Sequence, residues 1–119
     1  MTTDSLEQLR QQLAAFAAAR DWDQFHSPKN LSMALIAEAA ELVEHFQWLS
    51  ESQSRQLSAD KQQAVALELA DILIYLIRIA DKLDVDLIAA AREKISHNER
   101  RYPVDRVRGD ARRASEYER

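Results

Sequence analysis

Between Ser58 and Leu83 the chain runs without a glycine or a proline, and Val65, Leu67, Leu69, Ile72, Leu73, Ile74, Leu76, Ile77 and Ile79 surround the axis of the helix this stretch predicts. A helix that is apolar on every side has to be covered on more than one side. In a chain of 119 residues the neighbouring helices leave part of that surface bare, so a second subunit is expected to cover it. The same window holds Glu68, Asp71, Arg78 and Asp81, which argues against a membrane span.

The rest of the sequence agrees with an all-α chain. One glycine (Gly109) and two prolines (Pro28, Pro103) leave few breaks among residues that favour helix. Thr3 and Asp4 are expected to cap a first helix, with Leu6, Leu9, Leu13, Phe16 and Ala17 at three- and four-residue steps and an end near Arg20. Asp21 to Lys29 forms an aromatic-rich loop around Trp22, Phe25 and His26, because Pro28 disfavours helix at Ser27. Asn30 is expected to cap a second helix reaching Leu49, on a stripe of Leu31, Leu35, Ala39, Leu42, Phe46 and Leu49 widened by Ile36 and Val43. Ser50 to Leu57 reads as a polar connection, Ser58 caps the third helix, Asp84 to Asp86 break it, and Leu87 to Arg101 form a fourth helix stopped before Pro103. Residues 1–103 are expected to form one domain, and 104–119 a charged tail that is mobile or docked on a partner.

A net charge of -4 with mixed signs along the chain argues against a general nucleic-acid binder. Without cysteine there are no disulfides and no thiolate metal sites, which fits a reducing cytoplasm. The polar stretch Met1 to Glu7 has no basic and then apolar segment, so no signal peptide is expected.

Two pairs of acids stand inside the apolar patterns. Glu38 and Glu41, like Glu68 and Asp71, are three residues apart, so each pair leaves one helix face one turn apart. Continuing from Glu38 and Glu41, the same face reaches His45 and Trp48; from Glu68 and Asp71 it reaches Tyr75 and Arg78. If these faces meet, four carboxylates gather at one end and an indole, a phenol and a guanidinium lie beyond them. Hard oxygen ligands suit Mg²⁺ or Mn²⁺, and aromatics beside them suit a flat base, so a nucleoside triphosphate satisfies both ends. Spacing alone also describes an ordinary solvated acidic face, and aromatics or histidines at helical spacing are more often core. No serine or cysteine stands with a histidine as a nucleophile pair.

These residues resemble the all-α nucleoside triphosphate pyrophosphohydrolase superfamily, the MazG-like proteins. Arg20 to Leu31, Glu44 to Trp48, Glu68 to Tyr75 and Asn98 to Pro103 are similar in order and kind to its dCTP pyrophosphatase branch. The resemblance implies a four-helix bundle completed as a homodimer or homotetramer. Its activity is Mg²⁺-dependent cleavage of dCTP or a related or modified nucleotide to the monophosphate and pyrophosphate. It also implies Glu38, Glu41, Glu68 and Asp71 as metal ligands, and His26, Trp48 and Tyr75 at base and sugar, with Trp22 and Phe25 in the same wall. Lys94 and Asn98 fall on the triphosphate or ribose side. Catalysis falls to the cluster carboxylates Glu38 and Glu41, with Glu41 as the expected proton acceptor, while Lys94 and Arg78 would stabilise the leaving group. Ala37 stands where MazG proper carries another Glu, which leaves the base open, and Ala37 and Ala40 replace glycines the branch can have. The alternatives are the same fold acting on dUTP, a damaged nucleotide or a phosphoribosyl nucleotide, or a non-enzymatic helical interaction protein.

Overall fold

The computed structural model describes residues 5–116. Its helices are α1 (Leu6–Ala19), α2 (Pro28–Glu44), α3 (Glu51–Ser54), α4 (Ala59–Lys82), α5 (Leu87–Arg101) and α6 (Val104–Val107), with 3₁₀ turns at Asp23–Phe25 and Ala114–Glu116. Among the described residues there is no strand, as the all-α expectation requires. They divide into two compact units, the first ending at Val85 and the second beginning at Asp86.

Helix starts follow the side chains that can satisfy free backbone N–H groups. Thr3 and Asp4 lie outside the described residues, and Ser5 caps α1, its hydroxyl accepting from the Gln8 amide at 3.1 Å. The cap of α2 is Ser27 and not Asn30: the Ser27 hydroxyl accepts from the Asn30 amide at 3.1 Å. Pro28 then occupies the first helical position, where its missing N–H costs nothing. Ser58 caps α4 as expected, and Asp86 caps α5.

Helices α1 and α4 are closed without glycine. Asp21 and Asp84 adopt φ of 54°, the left-handed conformation short polar side chains tolerate best after Gly. After α1 the Asp21 and Trp22 amides return to the Ala18 and Ala17 carbonyls, and after α4 those of Asp84 and Val85 return to Asp81 and Ala80. Both are Schellman closures. The first one turns the chain into the aromatic loop.

The first unit is built on α4. Helix α2 packs most extensively along it and α1 packs against it as well, with Ala17, Leu31, Val65, Ile77 and Ala80 buried. Of the expected α2 stripe, Leu31 is buried and Leu35, Ala39, Leu42, Phe46 and Leu49 are half-buried, while Ile36 and Val43 are exposed. On α4, Leu67 is 64% and Leu69 51% exposed, so much of its apolar circumference stays uncovered within the chain.

Two further elements differ from expectation. Regular helix in α2 stops at Glu44, because the amides of His45 and Phe46 bond three residues back, tightening the chain into turns. The polar connection contains α3, held by a capping box in which Ser50 and Gln53 satisfy one another's backbone amides. In the second unit the charged stretch after Pro103 forms α6 and a 3₁₀ turn, Ala114 is buried, and the Ala114 amide donates to the Tyr102 hydroxyl at 3.1 Å.

Candidate metal and base site

Because α2 lies along α4, the acids of the two helices meet. Glu38, Glu41 and Glu68 each offer one carboxylate oxygen, and the offered oxygens lie within 4.8 Å of one another. One oxygen of Glu38 and one of Glu68, Oε2 in both cases, are buried with no hydrogen-bond partner among the described residues. Buried carboxylate oxygens without partners are costly, and a cation is the usual compensation. Burial first, then the neighbouring Glu41 carboxylate and the charge of Asp71, push Glu38 up to about 7. That displacement belongs to a carboxyl taken out of water first and set among other carboxylates second.

Asp71 stands outside the three-oxygen group, yet its charge reaches Glu38. It also lines the neighbouring cavity, so one residue borders both features. At the other side His45 Nε2 lies 3.9 Å from Glu68 Oε1.

The cavity has a volume of about 220 Å³ and is lined by Leu13, Phe16 and Ala17 of α1, Trp22 and His26 of the connection, and Asp71, Ile74, Tyr75 and Arg78 of α4. An apolar cavity of about 150 Å³ is large enough for benzene. The space therefore suits one flat ring and not a whole nucleotide. Trp22 meets Phe16 edge to face at 5.7 Å between centroids and tilts against His26 at 6.3 Å, which fixes this aromatic wall.

Under the wall runs a chain of alternating charges. Arg78, 3% exposed, donates from Nη2 to Asp23 Oδ1 at 2.8 Å and from Nη1 to Asp81 Oδ2 at 3.3 Å. Lys82 shares Asp23 at 2.8 Å, and Arg10 shares Asp81 at 3.1 Å. Arg78 Nε and Nη2 also approach His26 Nδ1, at 3.4 and 3.2 Å. Burial, then the Arg78 charge, hold His26 below its ordinary range, while Lys82 and Arg78 lower Asp23.

Of the residues expected at the base, Trp22, His26 and Tyr75 come together around the cavity, and Arg78, expected at the leaving group, lines it with them. Phe25 and Trp48 are not in its lining; Phe25 is 59% exposed, and Trp48, in the turns after α2, is 86% exposed. Lys94 is exposed and Asn98 half-buried on α5, in the second unit. Leu13 and Phe16 of the α1 packing stripe line the cavity as well, and Asp23 and Asp81, which carry no motif of their own, hold Arg78 beneath it. The Asp81 signal was present, because Arg78 and Asp81 stand three apart on one helix, the spacing of an ion pair.

Three comparisons bear on this arrangement. The model of the MazG-like family matches residues 34–116. The chain is 45% identical over 109 residues to dCTP pyrophosphatase 1 of Rattus norvegicus, covering 90% of this chain and 64% of that protein. It is 42% identical over 114 residues to dCTP pyrophosphatase 1 of Homo sapiens, covering 94% and 67%. It thus spans about two thirds of the length of these curated relatives. The crystal structure of a pyrophosphatase from Archaeoglobus fulgidus superposes with a TM-score of 0.78 at 37% identity, covering 82% of this chain and 92% of that one.

Proposed function

This chain belongs to the MazG-like family, and from that premise we propose that it is a nucleoside triphosphate pyrophosphohydrolase acting on dCTP or a closely related or modified nucleotide. The observation that carries the proposal is the pair of buried, unpartnered oxygens of Glu38 and Glu68 beside an aromatic cavity that Asp71 also borders. The relatives named dCTP pyrophosphatase 1 and the structural neighbour named a pyrophosphatase support the same reading.

The donor set is all carboxylate, which fits a hard divalent cation, so Glu38, Glu41, Glu68 and Asp71 would hold Mg²⁺, with Mn²⁺ as a substitute. Bound there, the ion supplies neutralisation of the triphosphate charge and a more acidic water. The residues of the chain do the rest. Glu41, exposed beside Glu38, accepts the proton of the attacking water. The water oxygen bonds to the α phosphorus, the bridging oxygen leaves with pyrophosphate, and the nucleoside monophosphate remains. Trp22 and Tyr75 clasp the base and His26 hydrogen-bonds it. Phe25 and Trp48, exposed and outside the cavity lining, are assigned to the base on the resemblance. Lys94 and Asn98 are assigned to the triphosphate and ribose on the resemblance. Arg78, expected at the leaving group, already serves Asp23, Asp81 and His26, so we give the leaving-group charge to Lys94.

Exposed Ile36 and Val43 on α2 and Leu67 and Leu69 on α4 support a homodimer or a dimer of dimers. A cytoplasmic setting goes with the absence of cysteine. No helix of the described residues is long and apolar enough to cross a membrane.

The test is pyrophosphate release from a panel of deoxy- and ribonucleoside triphosphates with Mg²⁺. A dCTP preference is expected. No turnover of any nucleotide by the folded protein would sink the enzyme reading, and a purine preference would overturn the base assignment.

A further inference from the structure

The Arg78–His26 contact determines which hydrogen-bonding group the base cavity presents. Two nitrogens of Arg78, Nε and Nη2, approach the same ring nitrogen, Nδ1 of His26, at 3.4 and 3.2 Å. A guanidinium carries only donors and keeps its charge at any pH a protein tolerates. Nδ1 therefore has to be the acceptor, and a neutral imidazole that accepts at Nδ1 carries its hydrogen on Nε2.

The guanidinium is not free to turn away. It is 3% exposed and held from two sides by Asp23 at 2.8 Å and Asp81 at 3.3 Å. Those carboxylates are anchored in turn, Asp23 by Lys82 and Asp81 by Arg10. Asp23 also carries His26 itself, because its carbonyl accepts the His26 amide at 3.1 Å in the 3₁₀ turn. The residue that grips Arg78 is thus the one that places the ring. Trp22 tilts against the imidazole, 6.3 Å between centroids.

We propose that Arg78 is a positioning residue that fixes His26 as the Nε2–H tautomer, so the imidazole offers a base a donor and not an acceptor and favours a ring edge that accepts. The inference rests on the nucleotide reading above and names the chemistry that would discriminate within it. Ring nitrogen N3 of cytosine is an acceptor, whereas N3 of uracil or thymine carries a hydrogen. A ring free to exchange tautomers would accept from that hydrogen; one held as Nε2–H cannot, and an unmet polar edge in a desolvated site is a strong ground for rejection.

The tautomer is read directly by long-range ¹H–¹⁵N correlation on the protein labelled at histidine. In the wild type, His26 should show a protonated Nε2 and an unprotonated Nδ1. Arg78→Lys keeps the charge but loses the planar pair of donors, and should give mixed tautomers in a chain whose folding circular dichroism confirms. KM for dCTP should rise about 10-fold with kcat nearly unchanged, and preference for dCTP over dUTP should fall by a similar factor. His26→Gln supplies the second arm, since an amide presents a donor whatever its neighbour. In that background Arg78→Lys should leave KM unmoved, whereas a merely structural Arg78 would shift both backgrounds alike. A protonated Nδ1 in the wild type, or a tautomer indifferent to Arg78→Lys, overturns the proposal. Absence of turnover in the wild type would count against the hydrolase reading, and the tautomer measurement would still decide this one.

Discussion

Glu38 and Glu68 face each other from α2 and α4, and each keeps one carboxylate oxygen buried without a hydrogen-bond partner among the described residues. Two like charges in that setting destabilise the fold unless something positive lies between them. A protein selected for stability alone would put an amide or an aliphatic side chain there.

The first prediction follows from that opposition. Glu38→Gln should leave the metal-free protein as stable as the wild type or more so at pH 8. Added Mg²⁺ should stabilise the wild type by about 2.7 kcal/mol at 100 times its dissociation constant, while the variant loses most of this increment. Thermal melts with and without Mg²⁺ measure both. A variant that keeps the full increment would remove Glu38 from the ligand set.

The second concerns pH. The Glu38 carboxyl stands at about 7 against an ordinary 4.5. Between these values the folded state holds more protons than the unfolded one, so this contribution is present below about pH 4.5 and disappears as pH rises through 7. Metal-free protein should lose stability across that interval, and the Mg²⁺ increment should grow there because a ligand carboxylate must be deprotonated. His26 acts with the opposite sign: its lowered value makes stability fall as pH drops below its ordinary 6.5. Melting profiles of Glu38→Gln and His26→Gln separate the two slopes.

Third, the charge chain under the cavity should respond unequally to its two kinds of loss. Replacing Asp23 and Asp81 together by Ala leaves the Arg78 guanidinium buried without a carboxylate and should cost about 3 kcal/mol. Arg78→Met, which removes the buried charge and keeps most of the volume, should cost less, since Asp23 is half exposed and retains Lys82. Urea denaturation of the two variants compares them, and a larger cost for Arg78→Met would contradict this ordering.

Fourth, the two tryptophans should behave differently. Trp48, 86% exposed, should change stability by no more than about 0.5 kcal/mol when replaced by Ala, while KM rises if it closes over a bound base. Trp22→Ala should weaken both, because that ring packs on Phe16 and lines the cavity. Steady-state kinetics beside thermal melts distinguish a ligand contact from a packing contact.

Much of this could be read from residue order. The cap at Ser58, the break at Asp84 to Asp86, the helix-sized apolar periods and the three-residue pairing of Glu38 with Glu41 and of Glu68 with Asp71 are local, and local spacing determines which side chains share a face. Trp22, His26, Tyr75 and Arg78 are likewise legible as site residues from the sequence. Where the reading slipped, short-range competition decided: Ser27 took the α2 cap from Asn30 because Pro28 fits the first helical position, and three-residue bonds ended α2 at Glu44, leaving Trp48 in a turn.

The residues by themselves determined that two acidic faces exist and that aromatics and a guanidinium follow them along the chain. That α2 lies along α4, so that Glu38, Glu41 and Glu68 converge while Asp71 borders a cavity, depends on packing between helices distant in sequence. The same holds for Arg78. On its helix it is one more charge at the proper spacing, and only the fold brings Asp23 and His26 to it, because the Asp21 closure returns the loop onto α4 and a buried guanidinium must take its partners from whatever lies there.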